Sequence, residues 1–473
     1  MKTKIVATLG PASSSPEIME SMLKAGVDVF RINFSHANHK TLPGQIAALR
    51  EIINRNKGRC ALLGDLQGPK IRIGEVRGGA IQLKAGQLIR LAGGMGISDE
   101  NLLWISYDAL YRDVQPGETI LLDDGKLSLK VESKTSDEQL IARVLVRGVL
   151  TSRKGVNLPE SRLTVPAITE KDLLDLQLAS QLELDWIALS FVRQAKDITA
   201  LRKEIRKMSR NWNPGIVAKI EKPEAVKNLD EIIDVADALM VARGDLGVEM
   251  PFEQIPAIQK TIIRKAVPRC KPVIVATQML EGMINNTRPT RAEINDVANS
   301  VMDGADALML SGETSTGQYP VEAVAAMSRI IQETEKYPET YHKPQVLPGA
   351  KTSRAISDAV ISAAVDLSIQ LQADALLTYT LTGYTARKLS SLRPGARIFI
   401  FAKSPRLIRR LNLHWGITGF VQKNLHYTDD NLGQMVQLLT QEGEIAKGNV
   451  VIKIAGFPMK EKVKSNMLVV SRV

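Results

Sequence analysis

Two pairs of charged residues follow the ends of two neighbouring apolar segments in the middle of the chain. Lys219 and Glu221 end the first segment, and Arg243 and Asp245 end the second. Both segments are short and apolar, which is typical of parallel strands buried on both faces. Carboxylates on neighbouring strand ends are hard oxygen ligands that leave room for water and a substrate phosphate, and Mg²⁺ prefers such a site. The spacing therefore indicates metal-assisted chemistry on a phosphate.

An ordinary salt-bridge network among the same four residues is the alternative interpretation, because structural networks also collect such charges. One Lys-x-Glu motif alone would favour that alternative, whereas charged residues on two adjacent strands favour a functional site. No Walker A motif occurs, since the pair Gly125 and Lys126 is followed by Leu127. Phosphate binding is therefore expected from side chains and loops other than a P-loop.

Further donors follow other apolar segments. Arg31 and Asn33 end one segment and Arg72 follows the next, which supplies bidentate donors suited to phosphate. For either arginine alone, pairing with a carboxylate is the structural alternative. The glycine-rich stretch around Gly244 would let backbone amides approach an anion such as a substrate carboxylate, especially if a short helix begins there.

The remaining candidates are single side chains. Thr277 and Ser311 are hydroxyls at the ends of two late segments, where a capping role is the more frequent one. His36 and His39 are three residues apart, but zinc is rejected because no third ligand lies nearby. His36 is instead expected in a loop that contacts a nucleotide, and a solvent-exposed histidine is the alternative.

The elements that must position these residues repeat along the chain. Strand and helix segments alternate from Lys4, stop after Leu66 and resume from Thr169. Eight strands end in polar residues, which are Thr8, Arg31, Asp65, Ser190, Lys219, Arg243, Thr277 and Ser311. Eight such units predict a closed (β/α)8 TIM barrel, in which the carboxyl ends of the strands meet at one mouth.

The rest of the chain is predicted to form two further domains around this barrel, so that the fold class is α/β. The barrel includes residues 1–68 and 168–340. Residues 69–167 contain short alternating segments joined by Gly and Asp turns, which predict an inserted antiparallel β-barrel that acts as a lid. Residues 341–352 are predicted to be a linker, and residues 353–473 to form a C-terminal open α/β domain.

Composition narrows the class of partner. The formal charge of +11 would favour binding of nucleic acid, an acidic surface or anionic small molecules. Aromatic residues are only 4% of the chain, and its lysines and arginines are spread without a basic arm or recognition motif, which disfavours nucleic acid. Phosphorylated metabolites are the simplest explanation of the excess charge.

Several features indicate a cytoplasmic protein that does not interact with membranes. No apolar segment approaches the ~20 residues that a spanning helix needs. The N-terminus enters a strand without a signal-peptide pattern. Cys60 and Cys270 are the two cysteines, and so few thiols suit a reducing compartment.

Long motifs across essentially the whole chain resemble the pyruvate kinase family. They occur in the family's order and are KIVATLGPAS, RINFSH, GDLQGPKIRIG, RKGVNLP, VAKIE, MVARGDLGVE, ATQMLEGM, RPTRAE and MLSGETSTGQYP. The resemblance implies phosphoryl transfer from phosphoenolpyruvate to ADP, giving pyruvate and ATP. It also implies Mg²⁺, with Mn²⁺ as an alternative ion, and a homotetramer with allosteric control.

Residue roles carried over by this resemblance fall into three groups. Glu221 and Asp245 resemble the metal ligands, and Lys219 resembles the lysine that stabilises the transferring phosphoryl group. Arg31 would hold the substrate phosphate, while Gly244, Asp245 and Thr277 would bind the carboxylate end and Thr277 would help to relay a proton. The residues that resemble nucleotide contacts are Asn33, Phe34, Ser35, His36, Arg72 and Lys154.

The sequence departs from the family pattern near Asp65. Potassium-dependent members typically carry Thr-Lys after the matching aspartate and a glutamate three residues further on, where this chain has Leu66, Gln67 and Lys70. The Lys70 ammonium would supply the charge that potassium otherwise brings, so potassium independence is expected.

The segment TLTGYT resembles the phosphate loop of the family's allosteric site, with Thr382, Gly383 and Thr385 as effector contacts. The later loop AGFPMKEKVKSN is lysine-rich and lacks the small-residue turn expected in the family's fructose bisphosphate binders. The expected effector is therefore a sugar phosphate or a nucleoside monophosphate.

Two other functions remain open at this point. A magnesium-dependent enolate lyase or aldolase on the same barrel would share the carboxylate pair and the arginine, but it would not explain the inserted domain or Lys154. A basic nucleic-acid-binding protein without catalysis is the other alternative, and intact Lys219, Glu221, Asp245 and Thr277 argue against it.

Overall fold

A closed barrel of eight parallel strands is the centre of the computed structural model, which describes residues 1–341, 354–422, 431–458 and 463–473. Each strand pairs with the next along the chain, and the eighth pairs with the first. The barrel strands are Lys4–Thr8, Val29–Asn33, Ala61–Asp65, Trp186–Leu189, Gly215–Ile220, Ala238–Ala242, Val273–Ala276 and Ala307–Leu310. The predicted TIM barrel is confirmed.

The barrel strands are apolar because both of their faces are buried. Every residue of Ala61–Asp65 and Ala238–Ala242 is buried. One set of side chains fills the barrel interior, and the other packs against the surrounding helices. Since the interior is filled, polar groups from the strands can meet only beyond the strand ends.

Helices surround the barrel, and side chains cap the N-termini of some of them. Ser15 Oγ accepts from Ile18 N at 3.3 Å, and Thr169 forms a reciprocal cap with Asp172. The chain after Glu221 forms two short helices that meet at Asn228, whose Nδ2 donates to Arg193 O. The α-helices of the barrel region are Pro16–Ala25, Leu42–Arg55, Glu170–Gln181, Ala195–Met208, Pro223–Lys227, Leu229–Val235, Arg243–Glu249, Ile255–Ala266, Arg291–Met302, Gly312–Ser315 and Pro320–Thr334.

The inserted segment forms three sheets around its own apolar core, and bridges from Arg72 to Gly155 and from Ile73 to Ile105 join the two edges of the largest sheet, in agreement with the predicted β-barrel. One sheet has six strands and two have two strands, and Leu88–Gly93 pairs in parallel with Leu102–Ile105. Alternating apolar residues predict strands but not their partners, so this parallel pair was not predicted. The other strands are Glu75–Val76, Ala80–Leu83, Ile97–Ser98, Thr119–Leu122, Leu127–Lys134, Leu140–Val146, Gly148–Thr151 and Val156–Asn157, with a short helix Leu110–Asp113.

The C-terminal domain is an open five-stranded sheet with helices, as predicted. Its last strand, Met467–Arg472, runs antiparallel to Val450–Ala455, and the other pairs are parallel. The remaining strands are Ala375–Tyr379, Arg397–Ala402 and Ile417–Val421, and the helices are Ala355–Gln370, Tyr384–Ser391, Pro405–Leu411 and Asn431–Gln441. Of the predicted linker at 341–352, residues 342–352 lie outside the described residues.

The C-terminal domain closes the end of the barrel opposite the mouth. Leu413 from this domain packs in the barrel interior. Four aspartates precede alternate barrel strands. The carboxylate of each accepts a hydrogen bond from the backbone amide of the first or second residue of the preceding strand. They are Asp28, Asp185, Asp237 and Asp306, with Ile5 N, Leu62 N, Ile216 N and Val273 N as donors at 2.9 to 3.0 Å.

Among the described helices, none is long and apolar enough to span a bilayer.

Candidate active site

Lys219 lies at the centre of the barrel mouth, near the end of the fifth barrel strand. Its Nζ lies 2.8 Å from Glu221 Oε1 and 3.4 Å from Asp65 Oδ1, and it donates to Ser190 Oγ at 2.8 Å. These partners come from the ends of the third, fourth and fifth strands. The lysine side chain is 12% exposed, so one ammonium group is nearly buried among two carboxylates and a hydroxyl.

The charges of this cluster determine its protonation. Burial alone would lower the pKa of Lys219, but the carboxylates of Asp65 and Glu221 outweigh it and raise the pKa. Burial likewise favours neutral Asp65, but Lys219 and Arg31 lower the pKa of Asp65 below its usual value. The site therefore presents a permanent cation to any anion at the mouth.

Glu221 and Asp245 form the candidate metal site. Glu221 is buried, and its Oε2 accepts from Phe191 N at 2.8 Å, whereas Asp245 is exposed. Burial raises the pKa of Glu221, Lys219 opposes this, and the nearby Asp245 raises it further. Two carboxylates close enough to act on each other have the donor chemistry that Mg²⁺ requires. The described residues contain no group of three or more His, Cys, Asp or Glu side chains placed to hold a metal, so water and substrate would supply the other ligands.

Arg31 is held at the mouth by Asp65. Its Nε donates to Asp65 Oδ2 at 2.8 Å and its Nη1 donates to Thr8 Oγ1 at 3.0 Å. The alternative of a structural carboxylate pair is therefore present for Arg31. Because Asp65 also contacts Lys219, the same carboxylate orients both cations toward the mouth.

Thr277 and Gly244 are in direct contact at the next strand ends. Gly244 N donates to Thr277 Oγ1 at 2.7 Å, and this hydroxyl donates to Ala276 O at 2.6 Å. Thr277 has a φ of +70°, which is strained for a β-branched residue and is common at functional sites. A Cβ at position 244 would lie only 3.3 Å from Thr277 Oγ1, so glycine keeps this backbone close to the hydroxyl.

The proposed salt-bridge network of four residues is only partly observed. Lys219 pairs with Glu221, but Arg243 pairs with Asp296 through two contacts of 2.7 Å and also donates to Thr277 O. Arg243 therefore holds the backbone of Thr277 and leaves Asp245 free of that guanidinium. Nothing in the sequence pattern marked Asp296 as its partner.

A cavity of about 490 Å³ lies beside the mouth and is lined by Asn33 and His36, which were expected to contact a nucleotide. Asn33 Oδ1 accepts from Ser35 N at 3.1 Å, so these residues form one turn, and His36 is exposed. The ring of Phe34 is completely buried in the barrel core, so a contact of Phe34 with a ligand would have to come from its backbone, whose N–H donates to Asp65 O and whose carbonyl accepts from Lys171 Nζ.

Two of the cations expected to contact the nucleotide lie in the inserted domain, where each is held by a residue of that same domain. Lys154 Nζ lies 2.8 Å from Asp123 Oδ1, and the hydrogen bond to Asp123 raises the pKa of Lys154. Arg72 Nη1 donates to Arg153 O at 3.1 Å. Lys70 is exposed and lines the same cleft as Asp245 and Lys222, and no salt bridge to Lys70 occurs among the described residues.

A separate cavity of about 220 Å³ in the C-terminal domain contains the expected effector contacts Thr382 and Thr385. Thr385 Oγ1 lies 2.9 Å from Ser465 Oγ. Gly383 has a φ of +82°, and its amide donates to Thr380 Oγ1 at 2.9 Å, so this amide is already paired. Part of the lysine-rich loop, residues 459–462, lies outside the described residues.

Asp65 and Ser190 are central residues to which the sequence analysis gave no role at the site. Both were recognised as strand ends, and that position is the signal that could have assigned them. Their contacts with Lys219 depend on which strands are neighbours in the closed barrel.

Comparison with known proteins gives matches over nearly the whole chain. Residues 1–324 match the family model described as pyruvate kinase, barrel domain, and residues 358–471 match pyruvate kinase, alpha/beta domain. A pyruvate kinase of Agrobacterium vitis is 40% identical over all of this chain and 97% of its own length. One of Clostridium acetobutylicum is 40% identical over all of this chain and 99% of its own. The crystal structure of a pyruvate kinase from Cryptosporidium parvum has a TM-score of 0.91 and 35% identity, and covers 100% of this chain and 96% of that one.

Proposed function

The chain belongs to the pyruvate kinase family, and from that membership we propose that the barrel mouth transfers the phosphoryl group of phosphoenolpyruvate to ADP, giving pyruvate and ATP. The observation that carries the proposal is the contact of Lys219 with Glu221, Asp65 and Ser190 at the mouth. Phosphoryl transfer depends mainly on positioning and on neutralising the equatorial oxygens. A cation that stays charged at this point meets that need.

Binding of phosphoenolpyruvate would use the residues on either side of Lys219. Arg31, oriented by Asp65, would hold the phosphate. The backbone at Gly244 and Asp245 and the hydroxyl of Thr277 would bind the carboxylate end. The same hydroxyl would help to pass a proton to the enolate carbon, directly or through water.

Glu221 and Asp245 would hold the Mg²⁺, or Mn²⁺, that the family relationship implies. When bound, the ion would supply positive charge to the phosphate oxygens. Phe191 N fixes one oxygen of Glu221, so this carboxylate would reach its ligand position without rearrangement.

ADP would occupy the cavity beside Asn33 and His36, with contacts from Ser35 and from the backbone of Phe34. Arg72 and Lys154 would contact its phosphates from the inserted domain. In that position the inserted domain would act as a lid and exclude water, which otherwise competes for the phosphoryl group.

Potassium independence is part of the proposal. Lys70 is exposed in the cleft that Asp245 lines, and its ammonium would stand in for the monovalent cation. We further propose a cytoplasmic homotetramer that a sugar phosphate or a nucleoside monophosphate activates through Thr382, Gly383 and Thr385. The cavity at these residues supports an anion site in the C-terminal domain.

A coupled assay for pyruvate and ATP, with metals varied one at a time, tests the function. The wild type should form both products only with a divalent ion. Glu221→Gln, Asp245→Asn and Lys219→Met should each lose about a hundredfold or more in turnover while still folding, as circular dichroism would check. Arg206→Ala, at an exposed position away from the mouth, is the control. Full turnover by folded Glu221→Gln and Asp245→Asn would refute the proposal, and release of an enolate product without ATP would favour a lyase or aldolase.

A further inference from the structure

Glu249 receives hydrogen bonds from both the barrel and the inserted domain. Its Oε1 accepts from Asn157 Nδ2 at 2.7 Å and from Lys222 Nζ at 2.5 Å. Asn157 belongs to the inserted domain, whereas Lys222 directly follows Glu221 in the barrel. Neither contact takes part in the substrate binding described above.

The environment of Glu249 makes these two donors important. Its side chain is 1% exposed, and its Oε2 is buried without a hydrogen-bond partner among the described atoms. A buried carboxylate is unfavourable unless it is paired and hydrogen-bonded. Its two hydrogen bonds therefore stabilise the position of the inserted domain in which Asn157 reaches Glu249.

The position of Asn157 depends on the position of a whole sheet of the inserted domain. It pairs with Leu121 at the edge of the six-stranded sheet, so its backbone moves with that sheet. Gly125 of the inserted domain lies near the residue that precedes Glu249, because a Cβ built on Gly125 would be 3.7 Å from Val248 Cγ1. The inserted domain thus hydrogen-bonds to Glu249 and lies close to Val248 at the end of one barrel helix.

That helix, Arg243–Glu249, begins with the candidate site residues. Asp245 and Glu249 are four residues apart, so they lie on the same face, one helical turn from each other. The other donor, Lys222, is the neighbour of the second carboxylate, Glu221. Glu249 is therefore connected to Asp245 through the helix and to Glu221 through Lys222.

We propose that Glu249 is a positioning residue that couples docking of the inserted domain to the alignment of Asp245 and Glu221. When Asn157 donates to Glu249, the helix and the segment at Lys222 are held in one arrangement. When the domain moves away, this restraint is lost. The inference rests on the proposed phosphotransfer, because it concerns the position of the residues that perform it.

Exchanging the two functional groups tests this proposal. Asn157→Ala removes the donor, and Asn157→Asp places a second carboxylate against Glu249. The double variant Asn157→Asp with Glu249→Gln restores a hydrogen bond of reversed polarity, because the amide introduced at position 249 can donate to the carboxylate introduced at position 157, and Lys222 can still pair with a carboxylate. Asn101→Ala and Asn101→Asp are matched controls at an exposed position of the same domain, whose side chain makes no hydrogen bond among the described residues.

Hydrogen exchange in the ligand-free protein is the first measurement. Amides in residues 66–74 and 155–165, where the chain enters and leaves the inserted domain, should exchange about tenfold faster in Asn157→Ala than in the wild type. Exchange should be faster still in Asn157→Asp, and the double variant should return to within about twofold of the wild type. The proposal would be overturned if the amides of Asn157→Asp exchanged no faster than those of the Asn101 controls.

Turnover is the second measurement. Asn157→Asp should lower kcat about tenfold with little change in KM for phosphoenolpyruvate, and the double variant should recover kcat. Circular dichroism checks folding. If the double variant does not fold, the turnover of Asn157→Asp is compared with that of Asn157→Ala. Only a nearby carboxylate would make the aspartate variant the less active of the two. A wild type that forms no pyruvate would refute the proposed function, whereas the exchange result would still decide the coupling.

Discussion

Arg409 of the C-terminal domain donates from Nε to Asp185 Oδ1 at 2.9 Å, at the start of the fourth barrel strand. The other oxygen of Asp185 accepts from Leu62 N in the third strand, whose opposite end carries Asp65. Burial raises the pKa of Asp185, and Arg409 opposes this rise. A completely buried carboxylate thus depends on a guanidinium from another domain.

Removal of this guanidinium should destabilise the protein strongly. Arg409→Ala leaves a buried charge without its partner, which typically costs ~3–5 kcal/mol. The midpoint of chemical unfolding, followed by circular dichroism, measures the effect. Arg206→Ala is the control, since an exposed substitution usually changes stability by less than ~0.5 kcal/mol. An Arg409→Ala midpoint equal to that of the control would show that the ion pair does not stabilise the folded state.

His414 should make stability depend on pH. It is buried against Trp186, and neither ring nitrogen has a hydrogen-bond partner within the described part of the chain. Burial lowers the pKa of His414 well below its usual value, and Arg387, Arg410 and Arg393 add to the effect. Since the unfolded chain binds this proton more readily, stability is lost as the pH falls below about 6.5, by up to ~1.4 kcal/mol per pH unit.

Comparison of variants isolates this contribution. Between pH 7.5 and pH 5, the unfolding free energy of His414→Gln should fall less steeply than that of the wild type. The exposed His36→Gln should follow the wild type. Parallel pH profiles for wild type and His414→Gln would contradict the assignment.

The Lys70 proposal predicts a change in cation requirement. In buffers with only sodium or tetramethylammonium, the wild type should retain its turnover, because the Lys70 ammonium supplies the charge. Lys70→Glu should lose most of its activity in tetramethylammonium and recover it with potassium. Lys40→Glu, at another exposed position, should not gain this requirement. A wild type that loses most turnover until potassium is added would refute the proposal.

The cavity in the C-terminal domain should bind a phosphorylated effector. We expect one of a series of sugar phosphates and nucleoside monophosphates to lower half-saturation for phosphoenolpyruvate by about fivefold or more. Thr385→Ala should weaken this effect without changing basal turnover, since its hydroxyl lines the cavity. The exposed Thr440→Ala is the matched control. Unchanged saturation curves with every compound would exclude the effector.

Much of the architecture could be predicted because it depends on local pattern. Each barrel strand is an apolar segment that ends in a polar residue, and the observed ends lie within two residues of the expected positions. Pairing in the inserted domain could not be predicted, because alternation does not select a partner strand. The burial of the Phe34 ring could not be predicted for a related reason, since a motif does not tell which of its side chains point into the core.

The sequence alone determined the barrel, the order of the domains, the family resemblance and the charged residues at the strand ends, because these follow from periodicity and residue type along the chain. Only the tertiary structure decided that Asp65 contacts both Arg31 and Lys219, that Arg243 pairs with Asp296, and that Asn157 reaches Glu249. The partners in three of these contacts are 34, 53 and 92 positions apart in the chain. They depend on barrel closure and domain docking, which bring distant side chains within a few ångströms and which no local pattern encodes.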